Sequence, residues 1–223
     1  MEERYSRSLG ALTEAEITAL QTKRVCVIGC GGIGGYAIEL LARTGITYLS
    51  LVDGDCFDVS NLNRQLFCTE ENIGCSKAAE AEKQAKRINS ALQIHAYSVY
   101  INNENVDEIL RGHDLVIDAL DSISARRILE RSCSVLGIPL IHAAISGWNA
   151  QIAVIMPETP LFNIIYPEKD SAETTPSLSF TPALAASIQV AEAVKLLVGR
   201  SAALSGRLLV IDLLSQEYNT IIF

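Results

Sequence analysis

A glycine-rich segment at residues 29–34 (GCGGIG) limits the folds open to this chain more than any other feature. The apolar run RVCVI comes directly before it and predicts a buried strand, and the apolar pattern over about 33–44 predicts a helix after it. A second strand is predicted over 47–52, and Asp53 ends it. Glycines at such a turn let the backbone approach a ligand, the helix N-terminus offers free N–H groups, and the acidic residue accepts ribose hydroxyls. The pattern therefore predicts a nucleotide-binding turn.

The rest of the chain alternates strands and helices in the order that builds a parallel sheet with helices on both faces. The predicted elements are a helix at 77–89, a strand at 92–99, a helix at 104–110, a strand at 114–119, a helix at 123–136 and a strand at 139–143. An antiparallel strand (150–156), a long loop (158–182), a helix (183–197) and a hairpin (207–212 with 217–223) follow. We expect one α/β domain over 1–223, with a Rossmann-like, mostly parallel sheet extended by antiparallel strands in its C-terminal part. Residues 1–145 form its nucleotide-binding part.

Composition excludes several classes of function. The net charge of -8 argues against a nucleic-acid or anionic-membrane binder, because phosphate backbones are held by clustered Lys and Arg. The N-terminus carries charges of both signs, and no stretch reaches the ~20 apolar residues that span a bilayer. We therefore expect a soluble, cytoplasmic protein with no nucleic-acid or membrane partner.

The segment after Asp53 separates two kinds of nucleotide enzyme. Asp53-Gly54-Asp55 leads into VSNLNRQ at 59–65, which places Arg64 where an NAD-dependent dehydrogenase would normally enter its next helix. A second cation, Lys77, follows Ser76, which is predicted to cap a helix. A lysine in the first turn opposes the helix dipole, so either an anion lies nearby or Lys77 is simply solvated on a charged helix. Together with Arg64 and the glycine turn, Lys77 favours the anion, since a triphosphate needs several converging donors.

The segment Asp118-Ala119-Leu120-Asp121-Ser122 follows an apolar strand, and ligands of open α/β sheets collect at the carboxyl ends of the strands. Asp121 is suited to hold Mg²⁺, which takes carboxylate oxygens together with phosphate oxygens and water. The residues alone equally allow Asp121 to be the N-cap of the next helix. Asp118 is either a group supporting the site or a simple strand end.

Other catalytic patterns are missing from the sequence. There is no G-x-x-x-x-G-K-[ST] phosphate loop and no G-x-S-x-G nucleophile elbow. The histidines, at 95, 113 and 142, lack metal-ligand spacing and are interpreted as structural. The six cysteines form no C-x-x-C pair, and we expect most of them to be buried apolar side chains.

Four segments in this order, GCGGIGG, LVDGDCFDVSNLNRQ, GCSKAAEA and DALDS, closely resemble the ThiF/MoeB/HesA family, bacterial relatives of ubiquitin-activating enzymes. The N-terminal RYSR also resembles the opening motif of that family. The resemblance covers the chain from Arg4 to about Leu197. Ser8 and Ser122 depart from it, since many relatives carry Gln and Asn at these two positions.

The resemblance implies a role for each matching residue. Asp53 would bind the ribose, Asn61, Arg64 and Lys77 would face the triphosphate, and Asp121 would be the aspartate associated with Mg²⁺. Arg7 would reach the phosphates of a neighbouring subunit, which implies a homodimer with composite sites. Arg7, Arg64, Lys77 and Asp121 are the catalytic candidates, and the full set expected beside ATP is Gly29, Gly31, Gly32, Gly34, Asp53, Asp55, Asn61, Arg64, Gln65, Lys77 and Ser122.

The implied activity is ATP-dependent adenylation of the C-terminal glycine carboxylate of a small ubiquitin-like sulfur carrier, for thiamine, molybdopterin or related synthesis, with release of pyrophosphate. A cysteine desulfurase or sulfurtransferase would then supply sulfur. Structural zinc is not expected, because PLFNII at 160–165 lacks the C-x-x-C that zinc-binding relatives carry. The loop at 168–182 contains no cysteine, so no covalent thioester or acyl-disulfide stage is expected.

Residues 146–223 would form the sheet that cradles the carrier and the loop that crosses over its tail. Its apolar surface would come from Trp148, Met156, Leu161, Phe162 and Ile164, unless these are ordinary core residues. Two other functions remain open: an enzyme that activates and dehydrates a carboxylate on modified tRNA (threonylcarbamoyladenosine), and an ATP-binding scaffold without catalysis.

Overall fold

The apolar strand segments assemble into one eight-stranded sheet in a computed structural model that describes residues 2–167 and 176–223. The strands are β1 (Arg24–Ile28), β2 (Tyr48–Val52), β3 (Gln93–Tyr97), β4 (Leu115–Asp118), β5 (Leu140–Ser146), β6 (Asn149–Ile155), β7 (Arg207–Asp212) and β8 (Glu217–Ile222). Their order is β3-β2-β1-β4-β5-β6-β7-β8. The first five pair in parallel, and β6, β7 and β8 extend the sheet by antiparallel pairing. The predicted fold class is confirmed.

Helices cover both faces of the sheet. They are α1 (Glu14–Leu20), α2 (Gly32–Thr44), α3 (Lys77–Ile88), α4 (Val106–Leu110), α5 (Ile123–Leu136), α6 (Phe162–Ile165) and α7 (Phe180–Leu197). Helices α2, α3 and α7 share one apolar core with the sheet, and α4, α5 and α6 share a second core on the opposite face. Because the parallel strands are covered on both sides, their sequences are almost continuously apolar, as in RVCVI and LVID.

Helix α7 is the one described helix long and apolar enough, by length and composition, to cross a membrane. It packs instead against α2, β5 and β6, and half of its residues are buried there. Its Gln189 is fully buried and donates to the carbonyl oxygens of Asp118 (2.8 Å) and Ile141 (2.7 Å). These contacts are those of a core helix that ties the ends of β4 and β5 together.

The predicted loop at 158–182 is partly wrong. It contains α6 and the first turn of α7, while residues 168–175 lie outside the described part of the chain. Pro182 lies in the first turn of α7, where it is tolerated because the N–H groups of a first turn have no intrahelical partner. The Pro- and Ser-rich composition therefore predicted a loop where α7 begins.

The apolar residues proposed for carrier binding divide into two groups. Leu161 and Phe162 cannot form a docking surface, because they are buried in the core that α4, α5 and α6 share with the sheet. Trp148 and Ile164 are exposed, and Met156 is partly exposed. Sequence alone could not separate these groups, since a four-residue helix has no recognisable periodicity.

Candidate active site at the carboxyl edge of the sheet

The glycine turn between β1 and α2 packs as closely as the sequence predicts. Gly29 has a φ of +96°, which favours glycine, and a Cβ there would lie 2.5 Å from the carbonyl oxygen of Ala119 at the end of β4. A Cβ on Gly34 would lie 1.8 Å from the carbonyl oxygen of Gly29. Gly31 is the N-cap of α2 and Gly32 its first residue, so the helix N-terminus is presented without side chains.

Asp53, at the end of β2, fixes this turn. One carboxylate oxygen accepts from the backbone N–H of Cys30 at 2.7 Å, and the other accepts from the N–H of Asp55 at 2.8 Å. Burial raises the pKa of Asp53, while these backbone donors oppose the shift. The acidic residue predicted to bind ribose therefore lies directly against the glycine turn.

Lys77 is buried, with 8% of its surface exposed, so the alternative of a solvated lysine is wrong. Its Nζ lies 2.9 Å from Oδ2 of Asp55, and its backbone N–H donates to the Asp55 carbonyl oxygen. Ser76 caps the helix as predicted. The other oxygen of Asp55 accepts from the hydroxyl of Tyr100, whose ring lies against Gly54. Sequence reasoning missed Tyr100, because nothing local connects a tyrosine after β3 to a carboxylate after β2.

The segment between β2 and α3 carries three more predicted residues, of which Gln65 lies against the glycine turn. Asn61 is buried, and its carbonyl oxygen accepts from the backbone N–H of Gln65. The Gln65 side chain lies 3.4 Å from the Cβ position of Gly31, and its Oε1 is buried with no hydrogen-bond partner among the described residues. Arg64 is partly exposed and donates within its own turn, to Ser60 and Asn63.

Asp121 lies at the carboxyl end of β4 and is exposed. The helix that follows is capped by Ser122, whose Oγ accepts from the N–H of Ala125, so the interpretation of Asp121 as an N-cap is wrong. Ser122, which was expected beside ATP, uses its hydroxyl for this cap. The carboxylate of Asp121 therefore takes no part in capping α5.

Beneath Asp121 lies a buried polar network that the sequence did not reveal. Asp118 is fully buried and accepts from Nδ1 of His142 at 2.6 Å, and its other oxygen accepts from the N–H of Leu120. His142 Nε2 lies 3.0 Å from the hydroxyl of Tyr166, which also accepts from Arg126. Burial lowers the pKa of His142, and the partners assign a neutral ring protonated on Nδ1. Asp118 is thus hydrogen-bonded within the core at the end of β4, and its support of a ligand site stays a prediction.

The remaining histidines also make structural contacts. His113 bridges Ser50 and the carbonyl oxygen of Leu110, and His95 stacks on Tyr97 at 4.1 Å. Cysteines 26, 30, 68 and 133 are buried, and Cys56 and Cys75 are exposed.

Arg7 is not near the glycine turn of its own chain. It lies exposed in a 3-10 helix (Glu3–Ser8) whose Tyr5 ring packs beside Gly45, at the C-terminal end of α2. The glycine turn lies at the opposite end of this 13-residue helix, which is about 20 Å long. An arginine side chain does not bridge that distance.

The polar groups at this edge fit a nucleotide. The unpartnered Oε1 of Gln65, the side-chain-free start of α2 and the buried Lys77 all adjoin the glycine turn. Over 2–167 and 176–223, no three His, Cys, Asp or Glu side chains cluster to hold a metal on their own. A lone carboxylate such as Asp121 nevertheless suits Mg²⁺, which is commonly held by one or two carboxylates and by substrate phosphates.

Comparison with protein families identifies the chain. The ThiF family model matches residues 5–222. The chain belongs to the ThiF family. It is 34% identical over 208 residues to the SAMP-activating enzyme E1 of Haloferax volcanii, covering 91% of this chain and 77% of that protein. It is 33% identical over 211 residues to the sulfur carrier protein adenylyltransferase of Thermus thermophilus, covering 89% of this chain and 78% of that protein. The predictions of the family and of an adenylyltransferase are confirmed.

Solved structures share the same architecture. The crystal structure of E. coli MccB with ATP superposes with a TM-score of 0.87 at 18% sequence identity, covering 99% of this chain and 72% of that one. This likeness shows that the chain shares its arrangement of strands and helices with a protein of low sequence identity.

Proposed function

We propose that this ThiF-family chain uses ATP to adenylate the C-terminal glycine carboxylate of a small ubiquitin-like sulfur carrier ending in Gly-Gly. The observation that carries the proposal is Lys77, a lysine buried in the first turn of α3 and directed at the acidic residues beside the glycine turn. A buried cation at that position serves a ligand with several negative charges. The relatives named for activating SAMP and for adenylating a sulfur carrier support the choice of substrate.

ATP would be bound on the start of α2. Its phosphates would meet the free N–H groups of that helix, with Asp53 on the ribose and Gln65 donating and accepting at the turn. Lys77 and Arg64 would neutralise the phosphates. Asp55 holds Lys77 in place and would share it with the nucleotide.

Asp121 would hold Mg²⁺ together with phosphate oxygens. The metal supplies charge neutralisation on the phosphates, without taking part in proton transfer. The chain's own contribution is to keep the Asp121 carboxylate exposed and its backbone fixed between the end of β4 and the capped start of α5.

The reaction needs no protein base. A carboxylate oxygen of the carrier, ionised at neutral pH, forms a bond to the α-phosphorus, and the bond from this phosphorus to the bridging oxygen breaks. The electron pair leaves with pyrophosphate, and the product is an acyl-adenylate. Lys77, Arg64 and the N–H groups of α2 stabilise the charge that develops, and they do so in a fixed geometry.

Arg7 would act on a second subunit. Because its own glycine turn lies at the far end of α2, a contribution to catalysis requires a homodimer in which Arg7 of one chain reaches the phosphates of the other. Gel filtration of the Arg7→Ala variant measures dimer formation, and the exchange assay described below measures its catalysis separately.

The carrier would dock on residues 146–223, beside the nucleotide-binding part at 1–145. Trp148 and Phe180 form an exposed aromatic pair with ring centroids 5.0 Å apart, and this pair together with Ile164 offers apolar contact area. A cysteine desulfurase or sulfurtransferase would then replace AMP with sulfur. The proposal places these steps in the cytoplasm.

ATP–pyrophosphate exchange with purified Gly-Gly carriers tests this function. We expect exchange that requires both Mg²⁺ and the carrier and that is abolished by Asp121→Asn. Lys77→Met should lower the rate on the order of 10²-fold, as when one preorganised charge donor is lost. Lys83→Met, on the same helix but exposed, is the matched control and should exchange at the wild-type rate.

Two results would contradict the proposal. Exchange that appears only with modified tRNA would indicate the dehydrating enzyme. Tight ATP binding and carrier binding without exchange would indicate a scaffold.

A further inference from the structure

The residue before Asp121, Leu120, has both its N–H and its carbonyl oxygen hydrogen-bonded to the buried network. The N–H of Leu120 donates to Oδ1 of Asp118 at 3.0 Å, and the carbonyl oxygen of Leu120 accepts from Nη2 of Arg126. The same nitrogen of Arg126 donates to the carbonyl oxygen of Ala143 on β5 at 3.2 Å. Both polar groups of one backbone residue are therefore tied to the protein interior.

Asp121 is confined from the other side as well. Ser122 begins α5 as its N-cap, so the backbone after Asp121 is set by the helix. With the preceding peptide clamped and the following residue capped, the direction of the bond from Cα to Cβ of Asp121 is fixed, although its carboxylate is exposed. A metal-binding carboxylate needs this kind of support, since partners behind the ligand tune metal affinity.

We propose that Arg126 is a positioning residue for adenylation, because its guanidinium clamps the Leu120 carbonyl and so fixes the Asp121 carboxylate toward the nucleotide-bound metal. The inference rests on the proposed function. Arg126 forms a buried ion pair with Asp118, its Nε lying 3.3 Å from Oδ2, and its Nη1 donates to the hydroxyl of Tyr166 at 3.2 Å.

A purely structural role for Arg126 makes a different prediction. Arg126 is 5% exposed and pairs with a fully buried carboxylate, so its loss would lower stability whatever its relation to Asp121. The two roles differ in whether metal affinity changes in protein that is still folded. The test must therefore measure the metal directly.

Mn²⁺ is a suitable probe, because its electron paramagnetic resonance signal reports free metal without any turnover. We expect Arg126→Gln, in the presence of the non-cleavable nucleotide α,β-methylene-ATP, to bind Mn²⁺ about tenfold more weakly than wild type. Its affinity for the nucleotide without metal should stay within about twofold. Arg131→Gln is the matched control, since Arg131 is exposed on the same helix and contacts Asn103, and it should bind Mn²⁺ as wild type does.

A second variant covers the case in which Arg126→Gln fails to fold. Tyr166→Phe keeps the ring packed on Phe162 and removes the hydroxyl, which accepts from Arg126 and also contacts His142 and Gln151, and it should weaken Mn²⁺ binding about threefold. Unchanged Mn²⁺ affinity in a folded Arg126→Gln or Tyr166→Phe variant overturns the positioning role, as does a wild type that binds no Mn²⁺ with the nucleotide. Failure of the proposed function would show differently, as Mn²⁺ and nucleotide binding without exchange on any carrier.

Discussion

The contact between Gly34 and Gly29 makes the glycine turn unusually sensitive to one methyl group. A Cβ at residue 34 would lie 1.8 Å from the Gly29 carbonyl oxygen, whereas real Cβ atoms essentially never come closer than 3.0 Å. In Gly34→Ala, the turn or the helix must therefore move by about 1 Å, a displacement that costs on the order of 10²-fold in a positioned reaction. Overpacking costs about 3 kcal/mol, and the better helix propensity of alanine returns about 1 kcal/mol. We expect a net loss of about 2 kcal/mol.

Thermal unfolding and binding of an ATP analogue measure the two effects. A loss of about 2 kcal/mol lowers the Tm of a domain of this size by about 4–8 °C. Gly35→Ala is the control one residue later: its Cβ would lie 3.5 Å from the Leu66 Cβ, which is ordinary contact. It should gain about 0.5–1 kcal/mol and bind the analogue normally. A Gly34→Ala variant with wild-type Tm and wild-type affinity would refute the reasoning.

Two further predictions concern groups outside the site. Hydrogen bonds from Arg200, and then from the N–H of Thr13, lower the pKa of Glu16 to about 2. Because the folded pKa is below the unfolded value of 4.5, the stabilisation by this ion pair is present above pH 4.5 and is lost as the pH falls through about 2. The Tm of wild type and of Arg200→Gln should therefore differ at pH 6 and converge near pH 2. In thiol titration of the native protein, Cys56 and Cys75 should react rapidly and the four buried cysteines only after unfolding, and a third fast thiol would contradict this.

The sequence specified those parts of the fold and site in which local pattern and tertiary structure agree. The glycine turn lies between an apolar strand and a helix, and Gly29 and Gly34 are required because a Cβ at either position would overlap a backbone carbonyl oxygen. Helix α5 was predicted with the bounds that the structure has, and in the structure Ser122 caps its start and Gly137 ends it. These features depend on neighbours in sequence, which is why they could be predicted.

The features that were missed depend on partners far apart in the chain. Tyr100 reaches Asp55 from the end of the neighbouring strand, and Arg126 on α5 meets Asp118 and Tyr166 only because β4, α5 and the end of α6 come together. A polar residue on an apolar strand or helix gives no sign of which distant group will satisfy it. For the same reason, the sequence could not show which of the apolar candidates at 148–164 lie in the core and which lie on the surface.

Helix α7 has a consequence for how the protein forms during synthesis. It is among the last elements to be made, yet it packs on α2, the first helix after the glycine turn, and its Gln189 ties together β4 and β5. A ribosome-bound chain that ends near residue 145 would contain all five parallel strands, but α7 would not yet cover its apolar face of the sheet. The start of α2 therefore gains its cover by α7 late, and a fragment cut at that boundary should be captured by chaperones rather than persist as a free domain.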